Sequence, residues 1–404
     1  MNNINVMGMV AHDADCIRKI LGGIIAQLKK VHEKPRYGLE NAYTSFIVMN
    51  FLQDVSVFAY EMLKTSTEMR DAFMQDVTDG NFFEDLKKVR NAIHIHNSSG
   101  SFAPRAKKIK DAIEARFPDG HFNLCLAYRI DTPNAALLSS DAFIFHMTSE
   151  IENKEHFLGE GASGYSGNIM AIMNTYVAGF PIDEISYLKP SLNLPTLKNL
   201  QIESFNYTIN ALHEKTQLSD PSAMRVVLMH TYVSFMNILF ELISADALVE
   251  ASEYWLFFLA KLYAIRYDEV MDSFDNLNKH CIDDDKVIIA ELLDFKGFDR
   301  KEVVRGFAQK LRNSIHYSVP NCPPIYKDDK NLVDLERVYL STVSVNSVHD
   351  FRELYYAMRF DMKMMQLRFR RLFDLDCTLE QLPIKMARGG KVLPSNHEEA
   401  DHGV

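Results

Sequence analysis

The sequence predicts a mainly α-helical protein with two helical bundle units on either side of a less regular middle segment. Three observations support this fold class. Apolar residues recur every three or four positions over most of the chain, prolines and glycines interrupt that pattern in the middle, and one short motif occurs twice. We place the units at residues 1–120 and 200–385, the middle segment at 121–199 and a disordered tail at 386–404.

The first unit is expected to contain five helices, because its apolar residues fall on one face at helical spacing. Proline and glycine interrupt the pattern between helices, as Pro35 does after the first. The predicted helices cover residues 16–31, 41–64, 69–77, 82–94 and 107–117. The apolar stripe of the fourth consists of Phe83, Leu86, Val89 and Ile93.

The middle segment has no long periodic run. Its short apolar runs at 122–130 and 142–147 are compatible with strands, so an α+β arrangement fits this part of the chain. The Gly/Ser-rich stretch 159–167 predicts a loop. A phosphate-binding loop is the alternative, but the stretch lacks the Gly-Lys-Ser/Thr ending of a P-loop, so a plain connection is the favoured interpretation.

The second unit returns to helical periodicity. Asp220 and Pro221 are typical of a helix start, because aspartate caps free backbone amides and proline fits the first turn. A later helix is entered through an Asp299 cap. Its expected inward residues are Val303, Val304, Phe307, Leu311 and Ile315. The predicted helices cover residues 224–245, 250–278, 299–316 and 349–373.

Composition narrows the classes of function. The formal net charge is -10, which disfavours duplex-DNA binding because neutralisation of phosphates by Lys and Arg supplies most non-specific affinity. Five scattered cysteines without a CxxC pair argue against a disulfide framework and a structural zinc site, and they fit a reducing cytosol. The N-terminus lacks a signal-peptide pattern, and the most apolar segment, 232–243, is too short to span a bilayer. We therefore expect a cytoplasmic protein without a membrane partner.

One seven-residue motif occurs once in each unit. Lys88-Val-Arg-Asn-Ala-Ile-His94 and Lys310-Leu-Arg-Asn-Ser-Ile-His316 match at five of seven positions, and the other two are conservative exchanges. Both copies lie at the end of an amphipathic helix and precede a short polar break. Two related helical units in one chain are the simplest account of this repeat.

The motif resembles the signature of the HEPN superfamily, whose members are small helical bundles with an arginine and a histidine separated by four to six intervening residues. The resemblance implies RNA binding or metal-independent endoribonuclease activity, in many members within prokaryotic toxin, phage-defence or CRISPR systems. It also implies one composite active site between two units, here with Arg90, His94, Arg312 and His316 as catalytic residues and no cofactor or metal. The expected partner is RNA or a nucleotide, and a homo-oligomer or a protein partner is compatible with the sequence.

The spacing within the motif departs from that signature. Arg90 and His96 fit it with five intervening residues, whereas His94 follows after three. In the second copy Arg312 and His316 are also separated by three residues, and no second histidine follows nearby. Two interpretations are open: His94 and His316 are the pair of a shortened variant, or the second unit is degenerate.

The motif contains the groups that metal-free RNA cleavage needs. A spacing of four residues places each Arg and His about one turn apart on one helix face. A guanidinium binds phosphate through two hydrogen bonds, and an imidazole exchanges protons near neutral pH. Two such pairs are sufficient for cleavage to a 2′,3′-cyclic phosphate. The supporting candidates are Asn91, Asn313 and His96, the two asparagines as groups that position an imidazole or cap the helix end.

A structural role is the alternative for both motif copies. Histidine at a helix end interacts favourably with the dipole and free carbonyls, and a buried carboxylate often pairs with an arginine. The candidate carboxylates are Asp54 and Glu61 for the first copy, and Glu241 and Asp246 for the second. The protein is then a non-catalytic helical interaction or scaffold protein whose motifs stabilise the interface between the units.

Two further charged clusters are weaker candidates. His280 and the three aspartates at 283–285 predict an acidic loop, which either binds a cation or is a solvated turn. Arg359, Lys363 and the arginines at 368–371 lie on a predicted basic helix, which either lines an RNA groove or is a solvated helix face. The solvated surface is the favoured interpretation of both.

Overall fold

Helices dominate the structure, as the sequence predicts. The computed structural model describes residues 4–32, 49–76, 81–95, 103–116, 121–129, 133–137, 160–179, 201–208, 216–244, 252–294, 300–317, 325–327 and 332–373. The expected tail at 386–404 and the apolar run at 142–147 lie outside these residues.

The described residues form helices with a few strands between them. The elements before the middle of the chain are α1 (Ile4–His32), α2 (Met49–Thr65), α3 (Thr67–Asp76), α4 (Phe82–Asn91), α5 (Ala103–Arg116), β1 (His121–Arg129), β2 (Pro133–Leu137) and α6 (Glu160–Gly179). The later elements are β3 (Gln201–Thr208), α7 (Asp220–Ser244), α8 (Glu253–His280), α9 (Asp283–Leu293), α10 (Lys301–Ser314), β4 (Tyr326–Lys327), β5 (Leu332–Val333), α11 (Leu335–Val343) and α12 (Val348–Leu372).

Two groups of four helices share one packing arrangement. In the first group α2 packs against the motif helix α4, and α6 packs against both α1 and α2. In the second group α8 packs against the motif helix α10, and α12 packs against both α7 and α8. The helices α1, α2, α4 and α6 thus correspond in chain order to α7, α8, α10 and α12. We call these groups unit 1 and unit 2.

The predicted loop at 159–167 is wrong from residue 160 onward, because helix α6 begins there. The buried residues of α6 recur at helical spacing and pack into the core, namely Tyr165, Ile169, Ile172, Met173 and Tyr176. Gly164 and Gly167 have open space around them. Burial of the apolar stripe outweighs the low helix propensity of these glycines.

Strands occur where the sequence suggested the first of them. A three-stranded antiparallel sheet has the order β2-β1-β3, and β1 closely matches the predicted run at 122–130. The register between β1 and β3 shifts between Asn123 and Cys125. Strand β2 contacts helices α7 and α12, so the sheet borders unit 2.

Helix α7 is central to the buried core. Its residues 221–240 are long and apolar enough to cross a membrane by length and composition, and 89% of that window is buried inside the protein. The helix begins at Asp220, as the Asp-Pro pair predicts.

Two details of the later helices differ from expectation. Val303 is 64% exposed, whereas the other four residues expected to face inward are buried. The acidic run at 283–285 is the first turn of helix α9, where carboxylates interact favourably with the helix dipole. Asp285 is buried there and accepts hydrogen bonds from the amide and hydroxyl of Ser219.

Candidate functional site

Both motif helices end in the same way. Helix α4 ends at Asn91 and helix α10 at Ser314, so each motif histidine lies in a tight turn just beyond its helix. The amide of His94 donates to the carbonyl of Asn91 at 3.3 Å, and the amide of His316 donates to that of Asn313 at 3.1 Å. The repeated sequence therefore produces a repeated backbone geometry.

The carboxylate of Glu61 joins the two motif copies. Its Oε1 accepts a hydrogen bond from Nη2 of Arg90 at 2.8 Å, within unit 1. Its Oε2 lies 3.2 Å from Nδ1 of His316, which belongs to unit 2. One buried side chain thus contacts the arginine of the first motif and the histidine of the second.

Two adjacent carboxylates in α8 make the reciprocal contacts. Asp268 accepts a hydrogen bond from Nη1 of Arg312, within unit 2. Oε1 of Glu269 lies 2.5 Å from Nδ1 of His94, which belongs to unit 1. Each arginine therefore pairs with a carboxylate of its own unit, and each histidine with a carboxylate of the opposite unit.

The carboxylates of the site are buried more deeply than its histidines and arginines. The carboxylates of Glu61, Asp268 and Glu269 are at most 1% exposed. The motif side chains above them remain partly exposed, with 43% of His94 and 41% of His316 accessible to solvent. Arg90 and Arg312 are 24% and 32% exposed. Solvent and solutes therefore reach the imidazoles and guanidiniums, while the acids lie beneath them.

The buried acids differ in charge behaviour. Burial by itself would raise the pKa of Glu61, but hydrogen bonds from His316 and Lys64 outweigh it and lower that pKa to about 2. Burial raises the pKa of Asp268 to about 6, because the favourable charge of Arg312 offsets only part of the desolvation. Glu61 therefore stays ionised over the whole neutral range, whereas Asp268 titrates just below it.

The supporting residues have smaller roles than expected. Oδ1 of Asn91 accepts from Nη1 of Arg90 at 3.0 Å, so this side chain orients the arginine rather than the imidazole. Asn313 is exposed, and its backbone carbonyl is the group that contacts His316. His96 lies outside the described residues.

The sequence identified one of the three carboxylates. Glu61 was a candidate partner of the first motif, but the other candidate, Asp54, pairs with Arg266 instead. The candidates for the second motif were Glu241 and Asp246, and the structure places Asp268 on Arg312. The order of the helices could have indicated Asp268, since in both units a long helix, which carries the acid, and a short helix precede the motif helix.

An arginine outside the motif also contacts it. Nη1 of Arg105, in α5, donates to the backbone carbonyl of His94 at 2.7 Å. This bond satisfies one of the carbonyls that the end of a helix leaves without a partner. Nothing in the sequence pattern pointed to Arg105, because its contact is to the backbone.

The two weaker clusters have contacts of their own. The predicted basic surface on α12 is partly engaged, since Arg359 stacks on Phe240 and Arg368 donates to the carbonyl of Asp294. Within the part of the chain that the structure describes, no group of three or more His, Cys, Asp or Glu side chains is arranged to hold a metal ion.

Comparison with known proteins does not identify the function of this site. No family model, no curated protein and no solved structure matches the chain.

Proposed function

We propose that the two motif copies form one metal-independent RNA-cleaving site of the HEPN type, and that the protein acts in a prokaryotic defence or toxin system. The observation that carries the proposal is the crossed pairing of His94 with Glu269 and His316 with Glu61. It brings two guanidiniums and two imidazoles, separated by more than two hundred residues of sequence, to one solvent-accessible place.

The pairing prepares each imidazole for proton transfer. A carboxylate at Nδ1 favours the tautomer with a proton on Nδ1 and fixes the orientation of the ring. In His94 and His316 this leaves Nε2 as the nitrogen that exchanges a proton with a substrate. A helix-end histidine with a purely local role would bond carbonyls of its own helix instead.

The arginines supply the charge that a phosphate requires. A guanidinium has five N–H donors, and the bonds of Arg90 to Glu61 and Asn91 use two of them. The scissile phosphate would bind across Arg90 and Arg312, which stabilise the negative charge of the transition state.

Cleavage by these groups requires neither a water molecule nor a metal ion as a reactant. One neutral imidazole removes the proton of the ribose 2′-hydroxyl, and the 2′-oxygen bonds to phosphorus while the bond from phosphorus to the 5′-oxygen breaks. The other imidazole, in its protonated form, donates its proton to the leaving 5′-oxygen. The products are a 2′,3′-cyclic phosphate and a free 5′-hydroxyl.

A non-catalytic scaffold protein is the second candidate, because the same histidine–glutamate pairs also join the two units. Two other ion pairs between the units, Arg266 with Asp54 and Lys261 with Asp13, are completely buried. The motif pairs leave their histidines about two-fifths exposed. The units thus have fully buried links besides the motif, which favours the RNA-cleaving function.

The test is cleavage of single-stranded RNA by metal-free protein in the presence of EDTA. We compare the wild type with Arg90→Ala and His316→Ala, and we analyse the products for cyclic phosphate ends. Loss of a catalytic imidazole is expected to lower the rate by at least about 100-fold. Arg305→Ala is the matched control, since Arg305 also pairs with carboxylates of α8 and lies about 10 Å from Arg312 along α10.

The outcomes separate the two candidate functions. Cleavage that is lost in both motif variants and retained in Arg305→Ala supports the nuclease. Absence of both cleavage and RNA affinity in a folded wild-type protein contradicts it, and a large drop in unfolding temperature in the motif variants would then favour the scaffold.

A further inference from the structure

Two buried tyrosines connect the turns that carry the motif histidines to the opposite unit. One is Tyr317, the residue directly after His316, and the other is Tyr232 in α7. Neither belongs to the repeated motif, and each hydroxyl forms a hydrogen bond between the units.

Tyr317 ties the second motif turn to unit 1. Its hydroxyl donates to Oδ2 of Asp13, in α1, at 3.0 Å. Asp13 is fully buried, pairs with Lys261 of α8 and also accepts from the hydroxyl of Tyr339 at 3.2 Å. The charge of Lys261 holds the pKa of Asp13 below its ordinary value despite burial, so Asp13 is a strong acceptor.

The backbone at Tyr317 is unusual. Its φ is 49°, in the left-handed region that bulky residues rarely adopt. Such a conformation persists only when the surroundings fix it. The buried ring and the bond to Asp13 fix it here, and this conformation sets the direction in which the chain leaves His316.

Tyr232 ties the first motif turn to unit 2. Its hydroxyl donates to the backbone carbonyl of Ile93, the residue before His94, at 3.0 Å. The guanidinium of Arg266 lies 4.0 Å from the centre of the Tyr232 ring, and its Nε donates to Asp54 of α2 at 2.6 Å. The ring is therefore held against a buried ion pair that links α8 and α2.

The two tyrosines are arranged in the same way relative to the units. Each motif turn receives a tyrosine hydrogen bond that crosses between the units, and each tyrosine rests on a buried Lys/Arg–Asp pair that also crosses between them. The same turn then presents its histidine to a carboxylate of the opposite unit. In each turn, the residue that takes part in the tyrosine hydrogen bond is the direct neighbour of the motif histidine.

From this geometry we infer that Tyr317 and Tyr232 are positioning residues, which orient His316 and His94 through contacts with the opposite unit. The inference rests on the proposed function for its consequence in catalysis, but the orientation of the imidazoles is measurable without any substrate. Removal of either hydroxyl frees the turn and lets its imidazole move from its carboxylate.

The experiment uses Tyr317→Phe and Tyr232→Phe in the full chain and records the imidazole resonances of His94 and His316 by NMR at one near-neutral pH. Assignments come from His94→Gln and His316→Gln spectra. Tyr263→Phe is the matched control, because Tyr263 is a buried tyrosine of α8 whose hydroxyl bonds the carbonyl of Met236 at 3.0 Å.

We expect Tyr317→Phe to shift the His316 resonances and Tyr232→Phe those of His94, with neither shift in Tyr263→Phe. In the cleavage assay the two variants should lower kcat at least about tenfold with little change in KM, because binding by the arginines is retained. Unchanged imidazole resonances in both folded variants would overturn the inference. Shifted resonances without RNA cleavage by the wild type would leave the positioning intact and contradict the nuclease function alone.

Discussion

Nδ1 of His316 lies 3.2 Å from Oε2 of Glu61, although Glu61 belongs to helix α2 of unit 1 and His316 follows helix α10 of unit 2. The same carboxylate contacts Arg90 and Lys64. Glu61 is therefore the point where both motif copies meet, and its charge is the simplest property of the site to test.

Replacement of Glu61 by glutamine should change how stability depends on pH. The folded pKa of about 2 lies below the ordinary value of 4.5, so ionised Glu61 stabilises the fold above pH 4.5 and this contribution is lost as the pH falls towards 2. The shift corresponds to roughly 3 kcal/mol. Urea unfolding across this pH range should show a larger loss of stability in the wild type than in Glu61→Gln, because Asp13 and Asp15 also have lowered pKa values and lose their contributions in both proteins. Parallel curves for the two proteins would contradict the assignment of this charge.

Neutralisation of Asp268 should strengthen RNA binding. Its pKa of about 6 means that it is mostly ionised at neutral pH and offsets the charge of Arg312. In Asp268→Asn the site loses one negative charge, so the charge of Arg312 is no longer offset, and the dependence of log affinity on log salt should steepen by about 0.7 for single-stranded RNA. Fluorescence anisotropy with a short labelled RNA at several salt concentrations measures this slope.

The control for that charge change is Asp272→Asn. Asp272 lies one turn further along α8 and pairs with Arg305, outside the motif. An equal change of slope in both variants would show a general charge effect and would argue against phosphate binding by Arg312.

His230 is predicted to destabilise the protein. It is fully buried between Phe369 and Phe373, with ring centres 5.3 and 5.6 Å away, and neither ring nitrogen has a hydrogen-bond partner among the described residues. Burial lowers its pKa to about 3, so it is neutral. His230→Phe should raise the free energy of unfolding by about 1 kcal/mol, measured as the urea midpoint.

The contrasting variant is His12→Phe. The ring nitrogens of His12 contact the hydroxyl of Tyr339 at 2.9 Å and the carbonyl of Tyr254 at 2.8 Å. Its replacement removes two buried hydrogen bonds, although the hydroxyl of Tyr339 keeps its bonds to Asp13 and Lys261, and should cost about 2 kcal/mol. Loss of stability in both variants would mean that His230 has a polar role that its surroundings do not show.

Two glycines of α1 should respond to alanine in opposite directions. A Cβ on Gly8 would lie 3.1 Å from Cγ1 of Val333 and 3.3 Å from Cδ2 of Leu335, so Gly8→Ala should cost about 1–2 kcal/mol through overpacking. Gly22 has open space around it, and Gly22→Ala should stabilise the helix by up to about 1 kcal/mol. Thermal unfolding of the two variants checks both values, and a stabilising Gly8→Ala would contradict the close contact.

The sequence predicted the parts of the fold that rest on local periodicity. The motif helices, with Leu86 and Leu311 on their buried faces, follow from apolar spacing alone. Helix α6 was missed because Gly164 and Gly167 suggested a loop, whereas burial of its other face decides its structure. Helix propensity is a local property, but the surface that buries a helix belongs to distant parts of the chain.

The candidate site could be predicted only in part for the same reason. The repeated motif identified Arg90, His94, Arg312 and His316, since the identity of the residues is itself the signal. The carboxylate that pairs with His94, Glu269 on α8, depends on how the two units pack, and no spacing in the sequence encodes that packing. Glu269 therefore became visible only in the structure, whereas Asp268 could have been inferred from the order of the helices.

The central claim is that each motif histidine pairs with a carboxylate of the opposite unit, and a double-mutant cycle tests it most directly. Free energies of unfolding are measured for His316→Ala, Glu61→Gln and the double variant. A control cycle combines His316→Ala with Glu302→Gln, because Glu302 is exposed at the start of α10, roughly 20 Å from His316 along the helix.

We predict a coupling energy of at least about 0.5 kcal/mol for His316 with Glu61, and additive effects within about 0.3 kcal/mol in the control cycle. Additivity in both cycles would show that the two motif copies do not meet at Glu61, and it would contradict the composite site.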